Sequence, residues 1–211
     1  MWGRRIPCVK RGIQFMTQYG LATGLRRAGL SVALFLLVLA AAASPASMRG
    51  DSGVSIENFG KVNDHYYRGS QPTEAQFAQL KRLGIRTVID LRKDSVAQES
   101  AWVKAQGMQY FNIPLKASVA ATEEQTSYFL SLVNNPANWP VYVHCKGGRH
   151  RTGALTAVYR ITQDGWTADQ AFKEMKEYDF DSGLFGGPMA QKKYVYSFYE
   201  RHAKAAPGSR R

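Results

Sequence analysis

From about residue 54 onward, the polar and apolar positions alternate between two periods. Stretches with apolar residues three or four apart open at Thr73, Thr122 and Thr167, each followed three residues later by Gln76, Gln125 and Gln170. This is the capping-box spacing that starts a helix. Gly84, Gly107 and Gly165 stand where those and neighbouring helices would close, because glycine adopts the left-handed cap conformation at little cost. Between the helical stretches lie short apolar or β-branched runs, "RTVIDL" (86–91), "MQYFNI" (108–113) and "VYVHC" (141–145), which read as buried strands. A short β piece is predicted over 56–68, and further helices over 152–163, 168–178 and 189–203. In the last of these, "YVYSFYE" (194–200) is spaced to bury one aromatic face. Strands alternating with helices predict an α/β fold with a mostly parallel central sheet flanked by helices. Ligands of such sheets bind beyond the carboxyl ends of the strands, and Cys145 stands at one of those ends.

The first 50 residues follow a different pattern. Arg26 and Arg27 precede an apolar run, Ala28 to Ala43, and the small residues of "AAASPAS" follow it. That order predicts a signal peptide or N-terminal membrane anchor over 1–46, with cleavage after Ala43 or Ala46. It places the remainder in the periplasm or outside the cell, or tethers it to the inner membrane through 28–43. The folded domain is assigned to 54–204, and the tail 205–211 reads as disordered. The leader also changes the meaning of the charge. Of 28 Lys and Arg residues seven lie in residues 1–50, which hold no acid, so 21 bases face all 16 acids in the rest. The net charge of +12 thus falls to +5 outside the leader, too little to argue for nucleic acid. Only Cys8 and Cys145 are present, so Cys145 has no disulfide partner once the leader is gone.

The segment "CKGGRHR" (145–151) carries the candidate chemistry. Gly147 and Gly148 let the backbone curl so that N–H groups from Lys146 to Arg151 converge on an anion, and the N-terminus of the following helix adds its positive end. A cysteine in such a field is readily ionised. Its thiolate can attack phosphorus while Arg151 grips two phosphoryl oxygens with its planar fork. Thr152 can donate its hydroxyl to the sulfur. The extra basic residues Lys146, Arg149 and His150 either point to a substrate with several negative charges or, for Arg149 and His150 equally well, turn outward to water or to Asp and Glu partners.

His144, Cys145 and Arg151 fit the H-C-x5-R signature, and "RTG" (151–153) continues it. With "YYRGSQPT" and "LKRLGIRTVIDLR" upstream, the chain resembles the protein tyrosine phosphatase superfamily, nearest to the compact dual-specificity group with atypical plant, fungal and bacterial members. The resemblance covers about residues 56–180. It implies the cysteine-phosphatase fold and phosphate monoester hydrolysis through a cysteinyl-phosphate, with no metal and no cofactor. The loop is similar to those of members acting on inositol phosphates or lipid head groups, so the implied substrate is a phosphoprotein, an inositol phosphate or a lipid head group.

The same resemblance leads one to look for a general-acid Asp about 30 residues before the cysteine, and "NIPLKASVAATEE" (112–124) holds none. Asp90, Asp94, Glu123, Asp179 and Asp181 remain candidates, each read more readily as a capping or solvated carboxylate than as the acid. A phosphate-binding pseudophosphatase that lacks an acid is the alternative function. A rhodanese-like sulfur transferase is a third, disfavoured by the arginine six residues after the cysteine. His65 and His202 have no metal-like spacing with Cys145.

Overall fold

A computed structural model describes residues 53–95, 97–181 and 187–205, with the side chains of 187, 204 and 205 left aside. The predicted leader lies outside the described residues, and so does the predicted tail from residue 206 on; residue 205, assigned to that tail, instead ends the last helix. The chain begins with an antiparallel hairpin, β1 (Gly60–Asn63) and β2 (Tyr66–Gly69). It continues through α1 (Glu74–Arg82), β3 (Thr87–Arg92), α2 (Ala97–Ala105), β4 (Gln109–Leu115) and α3 (Glu123–Val133). After a single 3-10 turn, Pro136–Asn138, come β5 (Val141–His144), α4 (His150–Gln163), α5 (Ala168–Glu177) and α6 (Gly187–Ala205). The strand order is β1-β2-β5-β3-β4, and β2, β5, β3 and β4 run parallel to one another. The mostly parallel sheet expected from the alternation is therefore present, with one antiparallel edge strand.

Local signals set the helix boundaries. Complete capping boxes form at Thr73, Thr122 and Thr167, and Gly84, Gly107 and Gly165 adopt positive φ where helices close. Two of the ends that differ from the sequence reading bear on the site. Strand β4 continues past Ile113 through Pro114 to Leu115, which an edge strand tolerates because one of its sides needs no N–H donor. Helix α4 starts at His150, so that Arg151 and Thr152 both belong to its first turn.

Alternation along the strands splits the core into two layers. Val88, Tyr142, Phe77 and Leu80 pack with Val103 and Met108 beneath α1 and α2. Ile89, Val143, Phe129, Leu155, Val158, Met175 and Val195 fill the other face beneath α3 to α6. Helix α4 is buried from Arg151 to Ile161. A buried helix directly after the cysteine loop gives that loop a rigid end. No helix among the described residues is long and apolar enough to cross a membrane.

Candidate active site

Cys145 follows β5 immediately, is 3% exposed, and lies in the wall of a cavity of about 400 Å³. Glu57, Ala117, Lys146, Arg149, His150 and Arg151 complete most of the lining. Three hydrogen bonds hold the loop from behind. The Gln71 N–H donates to the Lys146 carbonyl (3.1 Å), the Asn58 side-chain amide to the Gly147 carbonyl (2.9 Å), and Arg68 Nη2 to the Gly148 carbonyl (2.7 Å). In a trans peptide the N–H points opposite to the C=O. With the carbonyls of 146, 147 and 148 turned toward these donors, the N–H groups of Gly147, Gly148 and Arg149 are turned the other way, which is how an anion nest is made.

Of the two loop glycines only Gly148 has positive φ (+67°), and a Cβ there would come within 2.5 Å of the Gly69 carbonyl carbon. The loop and the end of β2 therefore touch backbone to backbone. Arg68, fully buried, makes that contact firm: its guanidinium lies 3.9 Å from the centre of the Tyr178 ring.

Arg151 is 8% exposed, and its Nη1 donates to the Leu115 carbonyl at the end of β4 (3.1 Å). That bond fixes one edge of the guanidinium and points the group along the carboxyl ends of the strands. Thr152 is fully buried, and its hydroxyl has no hydrogen-bond partner among the described residues. The basic side chains of the loop do not all face the cavity freely. Arg149 pairs with Glu57 (2.5 Å). His150 is half-buried with its ring edge-on to Phe180, and burial, aided by the nearby Arg149 and Arg151 charges, holds its pKa below the usual histidine value. At neutral pH it adds little charge. Lys146 is exposed at the rim.

Behind the cysteine lies a buried polar cluster. Arg92 binds Asp90 through two nitrogens (2.9 and 2.8 Å) and reaches Glu99 (2.5 Å). His144 Nε2 is 2.9 Å from Glu99 Oε1, a close approach without good hydrogen-bond alignment. Tyr110 donates to Asp90, and the Gln71 amide donates to Glu99 (3.1 Å). Asp90, Glu99 and His144 offer ligand atoms within 4.8 Å of one another, a cluster that sequence spacing does not suggest. The Arg92 guanidinium already bridges both carboxylates, so the cluster has its cation. Burial alone would raise the Asp90 carboxyl, but hydrogen bonds from Arg92 and the nearby His144 outweigh it and hold its pKa below the ordinary range.

The five carboxylates left open by the sequence now have places. Asp90 is locked in this cluster. Glu123 sits in the first turn of α3, 3.7 Å from Arg201. Asp179 and Asp181 follow α5, Asp179 at positive φ. Asp94 lines a second cavity that Arg151 and Lys146 also line. Sequence reasoning missed Glu99, Arg68, Asn58 and Gln71, although "YYRG" and "IDLR" carry two of the arginines involved.

Comparisons with known proteins agree with this geometry. Residues 51–195 match the family described as DSP-PTPase phosphatase fused to NAD+ kinase. The dual specificity protein phosphatase TpbA of Pseudomonas aeruginosa is 31% identical over 123 residues, 58% of this chain and 55% of that one. The inositol diphosphatase SIW14 of Saccharomyces cerevisiae is 30% identical over 130 residues, 59% of this chain and 46% of that one. This chain thus spans about half the length of these relatives. Among solved structures, TpbA in complex with pTyr superposes with a TM-score of 0.61 at 26% identity, covering 77% of this chain and 99% of that one. The SIW14 core catalytic domain in complex with citrate gives 0.60 at 26%, covering 71% and 92%. With the loop, the sheet order and the sequence match over 51–195 in agreement, the chain belongs to the dual-specificity-like protein tyrosine phosphatases, in the family of the phosphatase fused to NAD+ kinase.

Proposed function

We propose that this chain is a cysteine-dependent phosphatase. The observation that carries the reading is the placing of Cys145, Arg151 and the outward-turned carbonyls of 146–148 around one cavity at the carboxyl end of β5. The Cys145 thiolate attacks phosphorus in line, the P–O bond to the leaving group breaks, and the leaving oxygen takes a proton. Arg151 holds two phosphoryl oxygens as charge shifts onto them, and the loop N–H groups hold the same anion. Water then attacks the cysteinyl-phosphate, releasing phosphate and restoring the thiolate, to which the Thr152 hydroxyl donates.

The leaving oxygen's proton comes from a carboxyl group. Asp94 is the best placed of the candidates, since it shares a cavity wall with Arg151. A good leaving group, such as the phosphate released from a diphosphate, needs that proton less. That chemistry and the likeness to an inositol diphosphatase support a substrate with several phosphates, over an alkyl monoester. Export or membrane tethering through residues 1–46 remains part of this proposal, supported by the Arg26, Arg27 and Ala28 to Ala43 pattern.

A substrate panel for the full chain tests the reading: an aryl phosphate, a phosphotyrosyl peptide and an inositol diphosphate. Turnover of the aryl phosphate that vanishes in Cys145→Ser is expected. Tight binding of phosphorylated ligands without any turnover would favour the pseudophosphatase instead.

A further inference from the structure

Lys93 directly follows β3, Lys116 directly follows β4, and Lys146 lies two residues beyond β5. These strands are adjacent in the sheet, in the order β5-β3-β4, and parallel. Each therefore delivers a lysine to the same edge of the sheet. The three side chains meet around one cavity of about 540 Å³, which Asp94, Ser118 and Arg151 also line. This cavity shares Ala117, Lys146 and Arg151 with the one that holds Cys145, so the two adjoin. Lys93 and Lys116 line a third hollow beyond it, beside Thr122 and Gln125.

None of the three lysines forms an ion pair among the described residues. Arg149, by contrast, is neutralised by Glu57, and Arg92 by Asp90 and Glu99. Among the described residues, Asp94 is the single carboxylate in the lining of the lysine cavity. Three unpaired ammonium groups around one concave surface repel one another and focus a positive field into it. The transferring phosphate is already served by Arg151 and the loop N–H groups, so this field has a use only for further negative charge on the same molecule. Lysine suits that task. Its compact charge on a flexible stem follows phosphates at varied positions, where arginine would demand a fixed bidentate geometry.

We propose that Lys93, Lys116 and Lys146 form a subsite for the phosphates that are not transferred, in a substrate carrying two or more phosphate groups. The proposal rests on the phosphatase reading for its substrate but not for its binding test. It moves the polyanion contact away from Arg149 and toward the ends of β3 and β4. There the substrate would lie across the sheet edge, on the Asp94 side of the cysteine loop.

Calorimetric titration of inositol hexakissulfate, a polyanion with no phosphate to lose, reads the subsite without turnover. Inorganic sulfate serves as the single-anion reference. Lys93 and Lys116 are exposed, so Lys93→Gln/Lys116→Gln leaves the core untouched. The ratio of hexakissulfate to sulfate affinity should fall at least about tenfold in that variant, since two charge-assisted contacts are lost. An unchanged ratio would overturn the subsite. Aryl phosphate hydrolysis by the unaltered chain separates the two ideas: a falling ratio without any hydrolysis keeps the subsite and removes the phosphatase reading, and hydrolysis with an unchanged ratio does the reverse.

Discussion

Glu99 Oε1 in α2 lies 2.9 Å from Nε2 of His144, the residue before the cysteine, and both side chains are fully buried. The other Glu99 oxygen accepts from Arg92 and from the Gln71 amide, and the Gln71 backbone N–H supports the Lys146 carbonyl. One carboxylate thus braces the loop from two directions.

Removing it should be costly. Glu99→Ala leaves His144 and Arg92 buried with part of their partnership gone, and breaking one side of a buried ionic cluster costs about 3–5 kcal/mol. Urea unfolding should show a loss of that size. Glu99→Gln, which keeps the shape and one acceptor, should lose clearly less.

The Gly148→Ala variant tests the cradle itself. Positive φ and the 2.5 Å approach of a Cβ to the Gly69 carbonyl carbon both oppose it, and strain of this kind is worth about 1–3 kcal/mol. If the loop shifts to relieve it, vanadate affinity falls together with turnover. Gly147→Ala meets only the Arg149 side chain, at 3.6 Å or more, and should be much milder on both readouts.

Much of the fold was legible because its signals are local. Thr73, Thr122 and Thr167 find their capping partners three residues away, and Cys145 and Arg151 belong to a single turn. What was not legible is held by long-range contacts: Arg68 meets the Gly148 carbonyl across 80 residues, Asn58 meets Gly147 across 89, and Glu57 diverts Arg149 across 92. The pattern of a single chain has no term for such meetings. Glu99 shows the same limit, since an acid in a helix reads as solvated until β3 and β5 are placed beside it.

Acid should weaken the protein partly through Asp90. Its carboxyl is held below the ordinary range in the folded state, so its contribution is complete above the unfolded value of about 3.9. It is lost as the pH falls through the lower folded value. Asp90→Asn should therefore lower stability at neutral pH and flatten the loss that begins below about pH 4. Thermal unfolding across that range, compared between the two proteins, reads the difference.

Asp94 as proton donor predicts a dependence on the leaving group. Asp94→Asn should slow an alkyl phosphate by about 10²-fold or more, the size of a lost general acid. An aryl phosphate, whose leaving oxygen needs less help, should slow far less. Equal effects on both would mean that Asp94 acts only through the field of the lysine cavity.

The covalent step is the centre of the account, and rapid quenching of the full chain with a ³²P-labelled aryl phosphate tests it directly. Label should be bound to Cys145, formed before free phosphate is released, and absent in Cys145→Ser, which should not turn over. Full turnover by Cys145→Ser, with no label on the unaltered chain at any time, would contradict it.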